Sequence, residues 1–176
     1  LIAAGSLTLS EAGGMAEARF DRVQIGGWFD GPVTLTGRGK GRSPAVAVTG
    51  GTVDMRRAML GGGGGQGGPV TLALDRLQVS DTIALDGFRG RFDTGGGMNG
   101  TFTANVNGRA AISGTVVPRN GRSALRVTSA DAGGVLAATG LLKQAREGAL
   151  DLTLLPVGPA GIYDGTLRVS GLRIHE

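Results

Sequence analysis

Of the 176 residues, 35 are Gly and 6 are Pro, while Leu, Ile, Val and Phe together supply 44. That apolar content excludes simple disorder, the lack of a three-residue Gly period excludes collagen, and Gly at ~1 kcal/mol per helix-interior position excludes a long helical bundle. The net charge of +4 comes from 16 Arg and 2 Lys scattered against 14 acidic residues, with no Cys for disulfides or thiol chemistry and a single His, His175, too few for a His/Cys zinc site. What remains is a folded, turn-rich β protein. No apolar run is long enough for a transmembrane helix, and the chain begins at Leu1 without a signal-like segment, so it reads as a fragment of something larger.

Period-2 alternation of apolar residues, the mark of strands with one buried face, recurs from end to end. In residues 1–60 it selects Leu7 and Leu9, then Ala16, Ala18 and Phe20, then Val33 and Leu35, Val46 and Val48, and Val53 and Met55. These are the N-terminal strands. Residues 61–69 follow as a Gly-rich linker or loop. The tract GGGGGQGG contains a G-x-G-x-x-G spacing, but Pro69 and a strand come next, not a helix whose N-terminus could hold a pyrophosphate.

Residues 70–176 carry the clearer pattern. Val70, Leu72 and Leu74 alternate, slip by one residue, and resume at Leu77 and Val79; a second slip at Asp86-Gly87 separates Ile83 and Leu85 from Phe88 and Phe92. Phe102, Ala104 and Val106 follow, then Ala110, Ile112 and Val116, then Leu125 and Val127. Asn107-Gly108 and Asn120-Gly121 are type I′ hairpin signals, because both central positions need positive φ. Asn99-Gly100 is assigned with Thr94–Gly97 to one irregular connection. Residues 70–128 therefore predict an antiparallel meander of about five long strands, with β-bulges at the slips. Segment 131–147 breaks the pattern. Ser129 or Asp131 caps a short amphipathic helix bearing Val135, Leu136, Ala138 and Thr139, Gly140 stands at its C′ position, and residues 141–147 add a second short turn. Leu150, Leu152 and Leu154 form a further strand, and Leu167 and Val169 begin another that slips at Gly171 to reach Leu172 and Ile174.

No catalytic constellation emerges, and the chain is read as a non-enzyme without cofactor or metal. Asp75, Asp81, Asp86 and Asp93 lie at strand ends and bulges, where solvated carboxylates are common, and His175 is assigned to a frayed terminus. The basic run Arg38-Gly39-Lys40-Gly41-Arg42 and the pair Arg56-Arg57 lack the interleaved aromatics of a single-strand nucleic-acid reader. They read as charged hairpin tips that keep a sheet edge soluble, and nucleic acid is not an expected partner. The apolar face is different. Leu72, Leu74, Ile83, Leu85, Phe88, Phe102, Val106, Ile112, Leu125, Val127, Leu150, Leu152, Leu154, Leu167 and Val169 are assigned to it. Such a face fits the core of a closed sandwich. Long sequential strands with little aromatic bulk point instead to a curved sheet whose aliphatic concave face, left partly open, is a groove for hydrocarbon chains. The residues alone leave both readings open.

The stretches at 74–93 and 98–118, and above all SADAGGVLAATGLLKQAREGALDLTLLP at 129–156 followed by YDGTLRVSGLRI at 163–174, resemble the C-terminal part of AsmA-like envelope proteins, closest to the YhdP type. The D-A-G-x-x-L-x-x-x-G-L pattern at 131–141 and the G-x-L-x-L strand at 148–152 are its most specific elements. The resemblance covers residues 70–176, and residues 1–60 only through the general strand grammar. It implies a mainly β fold, a long antiparallel meander curled into a taco-like groove or half-barrel. This groove would lie on the periplasmic side of a Gram-negative cell, anchored in the inner membrane by a part outside this chain. It would conduct phospholipid or another acyl-chain lipid towards the outer membrane and support outer-membrane integrity. It supplies no catalytic residues. The helix at 131–147 would cap the groove or face an envelope partner protein. A structural β domain that docks on such a partner without binding lipid is the alternative, and an adhesin-like β-solenoid is a third, which would need a more regular repeat.

Overall fold

The structure is a computed structural model that describes residues 1–58 and 67–175. Most of the Gly tract, residues 61–66, lies outside them. Among the described residues twelve strands form one sheet. They are β1 (Ile2–Leu9), β2 (Met15–Ile25), β3 (Phe29–Thr36), β4 (Ala45–Val48), β5 (Thr52–Asp54), β6 (Pro69–Gln78), β7 (Ala84–Asp93), β8 (Asn99–Val106), β9 (Ala110–Arg119), β10 (Arg122–Ser129), β12 (Ala149–Pro156) and β13 (Tyr163–Ser170). The helix α1 (Ala132–Ala138) follows β10, and β11 (Ala145–Arg146) pairs with β14 (Arg173–Ile174) as a separate ribbon.

Strands β6 to β10 are the expected antiparallel meander, and the sheet order otherwise follows the chain, with β1 and β13 at its two free edges. The sheet is therefore open, not a closed barrel. One junction departs from antiparallel order. β4 and β5 lie end to end along β3, and both pair with β6 in parallel. Parallel neighbours need a return connection, which here falls in the chain between β5 and β6. Residues 1–58 and the C-terminal strands thus share one sheet.

The slips in the sequence line up across that sheet. β2 shifts register between Phe20 and Val23, the break between β4 and β5 falls at residues 49–51, and β7 shifts against β8 between Asp86 and Arg89. β6 and β7 keep one unbroken register because both carry the surplus residue at the same height. These irregularities make a crease, at which bulges bend strands and increase their twist. Two of its backbone positions demand Gly: Gly87 at φ 59 and Gly51 at φ 84, the latter also pressed against the Asp30 carbonyl.

Asn107 (φ 48) with Gly108 (φ 68), and Asn120 (φ 50) with Gly121 (φ 74), adopt the left-handed turns expected of them. Four other expectations are corrected. Asn99 and Gly100 are not loop residues: they open β8, opposite Asp93 and Phe92. The helix stops at Ala138, since Gly140 at φ 78 reverses the chain, and residues 141–147 end in β11 instead of a second helical turn. Gly171 is not a bulge within β13; the chain leaves the sheet there so that Arg173 and Ile174 can pair with Arg146 and Ala145. This ribbon, together with the His175 amide donating to the Gln144 carbonyl at 3.2 Å, ties down the backbone that was expected to fray.

Candidate functional site

One ladder of paired residues crosses all eleven strand positions on a single face: Leu7, Ala18, Leu35, Val46, Val70, Phe92, Gly100, Val116, Leu125, Leu154 and Gly165. The next ladder on that face runs Gly5, Phe20, Val33, Val48, Leu72, Gly90, Phe102, Gly114, Val127, Leu152 and Leu167. Neither contains a charged residue. Of the fifteen residues assigned from sequence, all but Ile83 lie in strands on this face; Ile83 sits in the turn before β7 and packs against the same core.

Exposure along the face is graded. Leu74, Phe88, Phe102, Val106, Ile112 and Leu150 are buried, and Leu72, Ile83, Leu85, Leu125, Val127, Leu152 and Leu154 are half-buried. On the edge strand β13, Leu167 is 51% and Val169 37% exposed, and on the opposite edge Leu7 is 62% exposed. The face is thus filled at its centre and open along its flanks.

The filling is aromatic, which the low aromatic content concealed. Phe88 stacks on Phe102 with ring centroids 5.1 Å apart and on Phe92 at 6.5 Å. Space for these rings comes from glycines facing the same way: a side chain at Gly90 or Gly100 would strike the Phe92 ring, and one at Gly114 the Phe102 ring. Sequence reasoning missed Gly90, Gly100 and Gly114 as members of the face, and left Phe92, which it placed in the same alternation as Phe88, out of the assigned residues. The available signal was F-R-G-R-F at 88–92, where Phe and Gly keep period 2 with each other.

Helix α1 closes one end. The Asp131 carboxylate accepts the Gly134 amide at 2.8 Å, which identifies Asp131 as the N-cap, while the buried Ser129 hydroxyl donates to the Ala111 carbonyl. Val135 and Ala138 pack against the core. Asn107 holds the other side of this junction: its amide donates to the carbonyls of Thr82 (2.9 Å) and Ala138 (2.7 Å), and its side-chain oxygen accepts the Ala84 amide (2.8 Å).

Charges lie on the opposite face and in the turns. Arg22 grips Asp30 with both Nε and Nη2, and with Gln24 it holds that carboxyl down at about 2. Arg56 bridges Asp54 and Asp81, lowering the Asp54 carboxyl while its own guanidinium is raised. Asp86 pairs with Arg76, Asp75 accepts the Gly51 amide, and Asp93 accepts the Gly95 amide. The four carboxylates singled out from sequence therefore each have a structural partner. Residues 38–42 form a tip between β3 and β4, which are interior strands, so the tip guards no sheet edge. Arg56 and Arg57 belong to the ion-pair cluster on Asp54, not to a free basic patch. No family model, curated protein or solved structure matches this chain.

Proposed function

We propose that this chain is a non-enzymatic, lipid-conducting segment of an AsmA-like protein of the YhdP type, acting on the periplasmic side of the Gram-negative envelope, with the inner-membrane anchor outside it. The observation that carries this reading is the uncharged inward face, continuous across eleven strand positions and open along its β12–β13 flank. Acyl chains laid against Leu125, Val127, Leu152, Leu154, Leu167 and Val169 gain about 25 cal/mol per Å² of apolar surface removed from water, whatever head group they carry. Many shallow, similar contacts suit conduction better than one deep well, from which a lipid would leave slowly.

Photo-crosslinking amino acids placed at Leu152 and Leu167, followed by mass spectrometry of the chain purified with its native lipids, test the reading. Phospholipid adducts at both positions, absent at the buried Phe88, are the expected result. The Phe-filled centre of the face favours the second reading, a scaffolding domain that docks on an envelope partner. Under that reading Leu152 and Leu167 yield no lipid adduct, while a crosslinker at the exposed Leu141, beyond α1, captures a protein.

A further inference from the structure

The polar face of the same sheet holds an arrangement that the apolar face does not explain. Two ladders run side by side across β6 to β10: Thr71, Arg91, Thr101, Thr115 and Arg126 in one, and Ala73, Arg89, Thr103, Ser113 and Thr128 in the other. Between them the face sinks into a concavity of about 650 Å³, with the backbone of Gly90 and Gly114 in its lining. Three guanidinium groups and six hydroxyls line it, and no carboxylate does.

The three arginines are not equivalent. Arg126 is held by Asp151 through Nε and Nη2, so that its charge is neutralised. Arg89 places Nη1 on the carbonyls of Leu74 and Phe88, at 3.1 and 3.0 Å, which fixes the arm without offsetting its charge. Arg91 has no hydrogen-bond or ion-pair partner among the described residues. Arg89 and Arg91 stand two residues apart on β7, with their Cα atoms roughly 7 Å apart on the same face. Two like charges without a carboxylate partner at such neighbouring positions favour an anion between them. Planar guanidinium forks match the paired oxygens of a phosphoryl group, and Thr and Ser hydroxyls donate to the oxygens that remain. Phe102 is part of the lining, but it is buried and its ring stacks on Phe88 in the apolar core, so among the described residues no exposed aromatic ring offers a base a stacking surface here.

We propose that this concavity is a phosphate-binding cradle, with Arg89 and Arg91 as its principal ligands and Thr101 and Thr103 beside them. Its ligand is a phosphate oxyanion, carried by a soluble phosphate ester or by a lipid head group. The proposal does not rest on lipid conduction by the opposite face.

The test titrates the full chain with pyrophosphate, following the arginine Nε–H signals by NMR, and separately measures co-sedimentation with vesicles of phosphatidylcholine alone or with phosphatidylglycerol added. Saturable shifts confined to Arg89 and Arg91, and binding weakened at least tenfold in Arg91→Gln but unchanged in Arg109→Gln, support a soluble phosphate ligand. Binding only to the phosphatidylglycerol vesicles, lost in Arg91→Gln and kept in Arg109→Gln, supports a lipid head group. Arg91 is exposed and unpartnered, so its variant is expected to keep the melting temperature of the parent. Absence of binding to both probes, or equal weakening by Arg91→Gln and Arg109→Gln, overturns the proposal.

Discussion

The Phe102 ring covers Gly114, its paired residue on the neighbouring strand, and stacks with Phe88. Ring and glycine are a single packing unit. A strand residue without a side chain leaves a gap on a buried face, and the aromatic ring of its cross-strand partner covers that gap. Phe92 likewise lies against its paired Gly100, where an added side chain would strike the Arg91 carbonyl as well as the ring.

Gly114→Ala places a methyl group into that ring. Overpacking costs about 1–3 kcal/mol, which outweighs the ~0.4–1 kcal/mol that Ala returns by restricting the unfolded chain. Urea unfolding should show net destabilisation. In a Phe102→Leu background the added methyl has room, so the double variant should be more stable than the sum of the two single changes, with coupling of about 0.5–3 kcal/mol. A Gly114→Ala protein as stable as the parent would refute the packing account.

Asn107 should be the least replaceable turn residue, because it combines a left-handed backbone with three side-chain hydrogen bonds. Asn107→Gly keeps the conformation and loses the bonds, at about 1–3 kcal/mol. Asn107→Asp keeps the acceptor for the Ala84 amide but turns a carboxylate oxygen towards the carbonyls of Thr82 and Ala138, so it should be at least as damaging. Hydrogen exchange at Ala84 and through α1 should accelerate in both. Unchanged exchange in α1 would show that Asn107 does not hold the helix.

How much of this could be read beforehand depends on the range of the interaction. Period-2 runs and Asn-Gly turns are local signals, and the meander from β6 to β10, the slips at Asp75 and Gly87, and the shared face of Leu72, Phe102 and Leu152 all follow from them. Pairing between distant segments has no local signal. Nothing in Ala45–Val48 announces a parallel neighbour at Val70–Leu72, and nothing in Arg173-Ile174 announces Arg146 and Ala145. Filling of the face at its centre is hidden from the sequence for a related reason. Seven aromatics in the chain appear too few to fill a face, but three of them converge on one spot, and convergence is a property of register.

Asp75 bridges the break between β4 and β5. Its carboxylate accepts the Gly51 amide at 2.8 Å, while the Gly51 carbonyl accepts the Asp75 amide at 2.9 Å. Asp75→Ala removes the acceptor and leaves the Gly51 amide to water, at about 1 kcal/mol for an exposed site. Asp75→Asn keeps an acceptor and should lie closer to the parent. Gly51→Ala strains both φ and the contact with the Asp30 carbonyl, and should be the most harmful of the three. Thermal melts of the set should rank Asn, then Ala, then the Gly51 variant; any other order would argue against Asp75 as the clamp of the crease.

Acid should loosen the outer face before neutral pH does anything to it. The Asp30 carboxyl falls from its ordinary value of 3.8 to about 2, chiefly through hydrogen bonds from Arg22 and then from Gln24. Asp54 and Asp151 are lowered likewise, by Arg56 and Arg126. A carboxyl more acidic in the folded than in the unfolded chain contributes stability that is complete above the unfolded value and lost as pH falls through the folded one. The melting temperature should therefore stay level from pH 7 to about 5 and decline between about 4 and 2. These pairs are exposed, so added salt should flatten the decline. Asp30→Asn should lower the melting temperature at pH 7 and reduce the slope below pH 4, because one titrating pair is gone. A slope that Asp30→Asn leaves unchanged would place the acid sensitivity elsewhere.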